Sequence, residues 1–129
     1  MIQGLLLFAH GARDPRWAEP FEAIAARVRA KRPDVALELA FLEFMAPDLP
    51  AAGALLAAAG CNVVDVLPLF LGAGGHVRKD LPQLLERLAA AHPAVQWHLR
   101  TAIGEADAVI AAMAAEALRL LAAAPEAPG

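Results

Sequence analysis

Two nearly continuous apolar runs, from Ile2 to Ala9 and from Val63 to Leu71, constrain this chain more than any other feature. Such runs read as strands covered on both faces, the mark of a parallel sheet. Two other segments alternate instead. Val35, Leu37, Leu39 and Phe41 oppose Ala36, Glu38, Ala40 and Leu42, and Val95, Trp97 and Leu99 oppose Gln96, His98 and Arg100. Alternation implies one half-exposed face, hence an edge position. Helical patterns fill the gaps, which gives βα units, right-handed crossovers and the sheet order 2-1-3-4. The expected fold is α/β, a three-layer sandwich around a four-stranded parallel sheet. Pro68 lacks the N–H that a central strand needs, so a bulge is expected there, or a place past the end of the neighbouring strand.

The helices follow from spacing and caps. Phe21, Ile24, Ala25 and Val28 mark the apolar stripe of the first, with its regular start at Pro20 after a turn from Asp14. The second is expected from about Pro47 to Ala59, stopped by Gly60. Asp80 is the expected N-cap of the third, with Pro82 in its first turn. The fourth spans roughly Glu105 to Ala123. The alanine-rich second and fourth helices, with Met113 and small faces around Ala111 and Ala115, are read first as core elements and second as a dimer surface. Residues 1–124 are expected to form one domain, and 125–129 a frayed tail.

Composition narrows the chemistry. The chain has no Ser or Tyr, one Thr (Thr101), one Asn (Asn62) and one Cys (Cys61), which largely excludes serine-hydrolase and Walker-type hydroxyl chemistry. A single Cys excludes an internal disulfide or a Cys-rich zinc site and fits a reducing compartment. A formal net charge of -3 lacks the basic footprint of a nucleic-acid binder. The longest uncharged stretch, Leu49 to Val64, is broken by Pro50 and two glycines and falls short of the roughly 20 residues of a spanning helix. The apolar start has no basic segment before it and runs straight into His10-Gly11-Ala12-Arg13-Asp14, so it reads as a first strand rather than a signal peptide. The expectation is a cytoplasmic protein.

In open parallel sheets, ligands bind beyond the carboxyl ends of the strands where strand order reverses. Here that is between strands one and three. His10 follows strand one, His76 follows strand three after Gly72-Ala73-Gly74-Gly75, and Glu43 follows strand two. Two imidazoles and a carboxylate thus converge on one rim from three segments, a set compatible with a divalent Fe, Co, Ni or Zn ion. A histidine at a strand end is more often structural, and a Glu leaving an edge strand is usually just solvated. The glycine loop shifts that balance, because three glycines in four positions exceed what a turn needs and allow close approach of a bulky partner. Arg13, Arg78 and Lys79 cluster near the histidines. Cations are disfavoured at helix N-termini, so their presence points to an anionic ligand. His92 and His98 carry weaker claims, and Cys61 lies at the opposite end of the sheet.

The segments LLLFAHGARD, LAFLEFMAPDLP and VLPLFLGAGGHVRKDLP resemble the small sirohydrochlorin chelatases, the short form of the class II tetrapyrrole chelatases of anaerobic cobalamin synthesis, over about residues 2–104. The resemblance implies a flavodoxin-like, chelatase-like fold. It also implies ATP-independent insertion of Co2+ into a carboxylate-rich tetrapyrrole, sirohydrochlorin or precorrin-2, with Fe2+ or Ni2+ insertion and a non-catalytic tetrapyrrole or metal carrier as alternatives. The metal is a substrate, and no permanently bound cofactor is expected. By motif position the family's two histidines fall on His10 and His76, and its carboxylate on Glu43, as catalytic residues and metal ligands. Arg13, Gly74, Gly75, Arg78 and Lys79 are then the substrate-binding candidates. Since longer family members hold two such units in one chain, a homodimer is expected, without nucleic-acid or membrane partners.

Overall fold

The computed structural model describes residues 1–72 and 74–122. Four strands, β1 (Gln3–Ala9), β2 (Ala36–Phe41), β3 (Val63–Pro68) and β4 (Gln96–Leu99), form one parallel sheet in the order β2-β1-β3-β4. The four α-helices are α1 (Glu19–Lys31), α2 (Leu49–Ala58), α3 (Gly75–Ala91) and α4 (Asp107–Ala122), and 3-10 turns at Pro15–Ala18 and Ile103–Glu105 precede α1 and α4. No helix among the described residues is long and apolar enough to cross a membrane.

The apolar runs become the two central strands, as their covered faces require. Leu6, Phe8, Val64 and Val66 pack with Leu49, Ala52 and Leu56 of α2 and Leu81, Leu85 and Leu88 of α3 on one side of the sheet. On the other side Leu7 and Leu37 pack with Ala25 of α1. The sheet therefore has a helical layer on each face. Pro68 pairs with Phe8 as the last residue of β3, whereas β4 reaches only as far as the pair Val66 and Leu99. Leu69 N–H donates to Phe8 O, so by strand alternation the position of the missing Pro68 N–H faces the side where β4 has already ended. Arg100 N–H still donates to Val66 O at 2.9 Å, and the ladder stops at the next bond, for which Pro68 has no N–H to give.

Caps fix the helix starts that the sequence suggested for α1 and α2. Asp14 accepts from Arg16 N–H to open the first 3-10 turn, Pro20 stands in the first turn of α1, and Asp48 accepts from Ala51 N–H at α2. Gly60, at φ +87°, closes α2 in the left-handed region.

Three expectations need correction. Helix α3 starts at Gly75, with Gly74 in an extended conformation (φ -68°, ψ 166°) as its cap. Asp80 and Pro82 therefore lie inside the helix. Ile24, on the proposed stripe of α1, is exposed, because α1 covers only β1 and β2. The third correction is larger. Among the described residues helix α4 contributes no side chain to the core, and every residue from Ile110 to Leu121 is exposed. Its main contact is with the 3-10 turn before it. An apolar helical pattern states only that a helix will be covered, not by which surface. The proposed tail, 125–129, lies outside the described residues.

Candidate functional site

His10 leaves the carboxyl end of β1 half-buried, and its ring packs on Phe70 with centroids 4.3 Å apart and planes inclined by 31°. Phe70 is itself buried just beyond β3, so the central strand that flanks β1 supplies the platform for the histidine. The backbone of the same residue is held from the other side, where Trp17 Nε1–H donates to His10 O at 2.7 Å. Trp17 belongs to the Asp14-capped turn and continues through Phe21 to Phe41 in a chain of ring contacts at 5.7 and 6.5 Å. Both position and ring plane of His10 are thus set by packing.

Gly11 carries the next constraint. A side chain there would run into the carbonyl oxygen of Glu43 and stand 2.7 Å from its carbon. Only glycine lets the turn after β1 lie against the backbone of the loop after β2. Leu42 N–H donates to Ala9 O at 2.8 Å and fastens the same junction. Glu43 is exposed, and Met45 N–H donates to its carbonyl across Phe44, a γ-turn whose central residue has φ +65°. Such a left-handed phenylalanine costs about 1–3 kcal/mol and is held by its surroundings. The Phe44 ring is 59% exposed and carries the Arg13 guanidinium 4.9 Å from its centroid. The loop after β2, from Phe41 to Asp48, lines an open cavity of about 640 Å³, within the range of ligand sites.

The proposed cations separate. Arg13 sits on the Glu43 side of His10. Arg78 pairs with Glu105 at 3.4 Å on the β3–β4 side, where both line a smaller cavity of about 240 Å³ with Pro68 and Arg100. Lys79 is exposed just past the first turn of α3. His76 lies in that turn, and its side chain lies outside the described residues. Gly74 and Gly75 are exposed, and a side chain at either would meet no atom within 4 Å. Neither has a positive φ. Among the described residues, packing and conformation do not require glycine at these two positions. Among the described residues no three His, Cys, Asp or Glu side chains group closely enough to hold a metal ion.

The structure thus brings His10, Gly11, Glu43 and Arg13 to one junction at the reversal of strand order, and places the start of α3 on the same rim. Phe70, Phe44 and Trp17 were not singled out from the sequence. Phe70 had a signal, as the last aromatic of the buried run through β3. Phe44 had none, because its backbone conformation depends on the loop's contacts. His92 and His98 lie away from this rim, on the C-cap of α3 and within β4. Cys61 is buried before β3, and burial raises its thiol pKa above the usual value, which suits an inert packing role.

A family model described as CbiX matches residues 4–120. Sirohydrochlorin cobaltochelatases of Methanococcoides burtonii and Saccharolobus islandicus are 32% and 37% identical over 83 and 82 residues, 64% of this chain in each case. Those alignments span 63% and 62% of the relatives, less than two thirds of their length. A crystal structure of a CbiX protein from Marinobacter aquaeolei, assigned by its name to cobalamin (vitamin B12) biosynthesis, superposes with a TM-score of 0.83 at 33% identity, covering 95% of this chain and 99% of that one. The sirohydrochlorin chelatase SirB of Bacillus subtilis, in complex with cobalt, shares the fold with a TM-score of 0.80 at 24% identity, and the match covers 92% of this chain and 51% of that one.

Proposed function

The chain belongs to the CbiX family, and from that premise we propose that it is a chelatase that inserts Co2+ into sirohydrochlorin or precorrin-2 without ATP, on the route to cobalamin. The observation that carries the reading is the junction at His10. A half-buried imidazole is stacked on Phe70 at the reversal of strand order, beside a carboxylate segment that Gly11 holds in contact.

Metal insertion requires an aquo ion to shed water and two pyrrole N–H protons to leave the ring. The dication that enters balances the two protons lost. A neutral imidazole offers one lone pair, which can hold the incoming ion or take a proton, and it changes state near neutral pH. His10 and His76 take these roles, and Glu43 either accepts the second proton or offsets metal charge. Imidazole and carboxylate together suit Co2+, Fe2+ and Ni2+ alike. Gly74 and Gly75 leave open space beside the start of α3 for a flat macrocycle. Arg13, Arg78 and Lys79 receive its peripheral carboxylates, the two arginines with bidentate geometry.

One rim offers half of a cleft. A second copy facing this rim in a homodimer supplies the other half. The test is an absorbance assay of sirohydrochlorin with Co2+, Fe2+ and Ni2+ in turn. Turnover with Co2+ fastest is the expected result. Turnover with Fe2+ or Ni2+ alone reassigns the metal, and stoichiometric binding without turnover makes the protein a carrier.

A further inference from the structure

Phe44 stands where its residue type is least expected. Its backbone is at φ +65°, a conformation that glycine and asparagine adopt readily and phenylalanine does not. Met45 N–H on Glu43 O at 2.8 Å closes the turn and holds that strain in place. The ring gains little burial in return, since it is exposed and lines the open cavity of the loop after β2. A residue needed only for the turn would be small. The aromatic ring is what this position supplies.

The ring touches Arg13, whose guanidinium carbon lies 4.9 Å from its centroid. The carboxylate next to Arg13 in sequence is already engaged, because Asp14 accepts from Arg16 Nε and Nη2 at 3.3 and 2.9 Å. On the β3–β4 side of the rim Arg78 pairs with Glu105, and Arg100 pairs with Asp65 at 2.6 Å. Among the described residues Arg13 belongs to no ion pair. The difference matters for a cation that must receive an anion. A carboxylate partner holds a guanidinium but neutralises it and occupies its donors. A ring face attracts the cation through its quadrupole and leaves the N–H fork for another partner. The junction at Gly11 keeps the pair in register, for Gly11 lies two residues before Arg13 and abuts the carbonyl of Glu43, the residue before Phe44.

We propose that Phe44 is a positioning residue, an uncharged support that holds the Arg13 guanidinium on the rim with its donors free for a peripheral carboxylate of the macrocycle. The inference deepens the proposed function and rests on it for the identity of that anion. Phe44 acts on substrate affinity through Arg13 and takes no part in proton or metal transfer, so its removal belongs in KM and not in kcat.

The experiment measures KM and kcat for sirohydrochlorin with Co2+, and Kd for metal-free sirohydrochlorin by absorbance titration. Phe44→Leu should raise KM and Kd about 2- to 5-fold, the range of an exposed cation–ring contact, with kcat unchanged. Phe44→Asn should do the same, and its tolerance of the left-handed backbone makes it decisive should the leucine variant not fold. Phe44→Tyr, which keeps the ring, should restore both constants. Arg13→Gln should raise them further, and adding Phe44→Leu to it should have no additional effect. Wild-type affinity in Phe44→Asn would overturn the inference. So would a tyrosine variant as weak as the asparagine one, or a further loss from Phe44→Leu in the Arg13→Gln background. Sirohydrochlorin bound without insertion would sink the chelatase reading and leave this inference to stand on Kd. Absence of binding by the wild type would overturn both.

Discussion

Replacing Gly11 by alanine should separate the two halves of the candidate site and weaken the fold at once. The new methyl would overlap the Glu43 carbonyl oxygen and stand 2.7 Å from its carbon, closer than the 3.0 Å that side-chain carbons essentially never breach. The obstacle is backbone, so no rotamer change relieves it. The turn after β1 must move away from the loop after β2, and the Leu42 N–H to Ala9 O bond lies in the path of that movement. Overpacking costs about 1–3 kcal/mol, and the lost hydrogen bond adds about 1 kcal/mol. A total of about 2–4 kcal/mol lowers the urea midpoint by about 1–2 M at the slopes usual for small domains. A displacement near 1 Å between His10 and Glu43 should cost on the order of 100-fold in metal insertion under conditions where the variant is still folded. The assay is urea unfolding by circular dichroism beside chelation of sirohydrochlorin. Gly75→Ala is the control of opposite sign. It meets open space at the first position of α3, and alanine there should stabilise by about 0.5–1 kcal/mol while chelation falls. A Gly11→Ala midpoint within about 0.3 M of wild type would refute the packing argument. Full chelation by Gly75→Ala would refute the view that the glycine admits the substrate.

His10→Ala and His76→Ala should each remain folded and lose most metal insertion, checked by the same absorbance assay; wild-type rates in either would make that histidine structural. Glu43→Gln should be milder, with a rate between wild type and His10→Ala, because a carboxamide keeps the shape and loses the charge. Phe70→Leu, at a buried position, should cost about 1 kcal/mol of stability and lower insertion by releasing the His10 ring, read as a drop in rate under conditions where the variant is still fully folded. Burial raises the Cys61 thiol pKa above its ordinary 9.0. The folded chain thus holds a proton that the unfolded chain gives up, and stability should be constant below about pH 9 and fall as pH rises through the raised value. Urea midpoints from pH 7 to 10.5 would show it, and so would labelling of Cys61 only on unfolding.

The strands were legible in the sequence because a parallel sheet writes a local pattern. Residues 2–9 and 63–71 are apolar without regard to what covers them, and the alternation through Glu38 and His98 marks the two edges. Strand order then places His10 and Glu43 at one end of the sheet, and the start of α3, with His76, on the same rim. What tertiary structure decided is each relation between segments distant in sequence. Nothing near Gly11 announces that it abuts Glu43, and nothing near Phe70 announces that it carries the His10 ring. The start of α3 was misplaced at Asp80 because a glycine run has no conformational preference of its own, and Gly74 caps the helix only where the loop delivers it. The error at α4 has the same origin. Ile110, Met113 and Leu121 encode an apolar face that this fold leaves exposed, because the course of α4 is set by the 3-10 turn before it, where Gly104 N–H donates to Phe70 O. Hydrophobic periodicity is a property of one segment, and docking is a property of two.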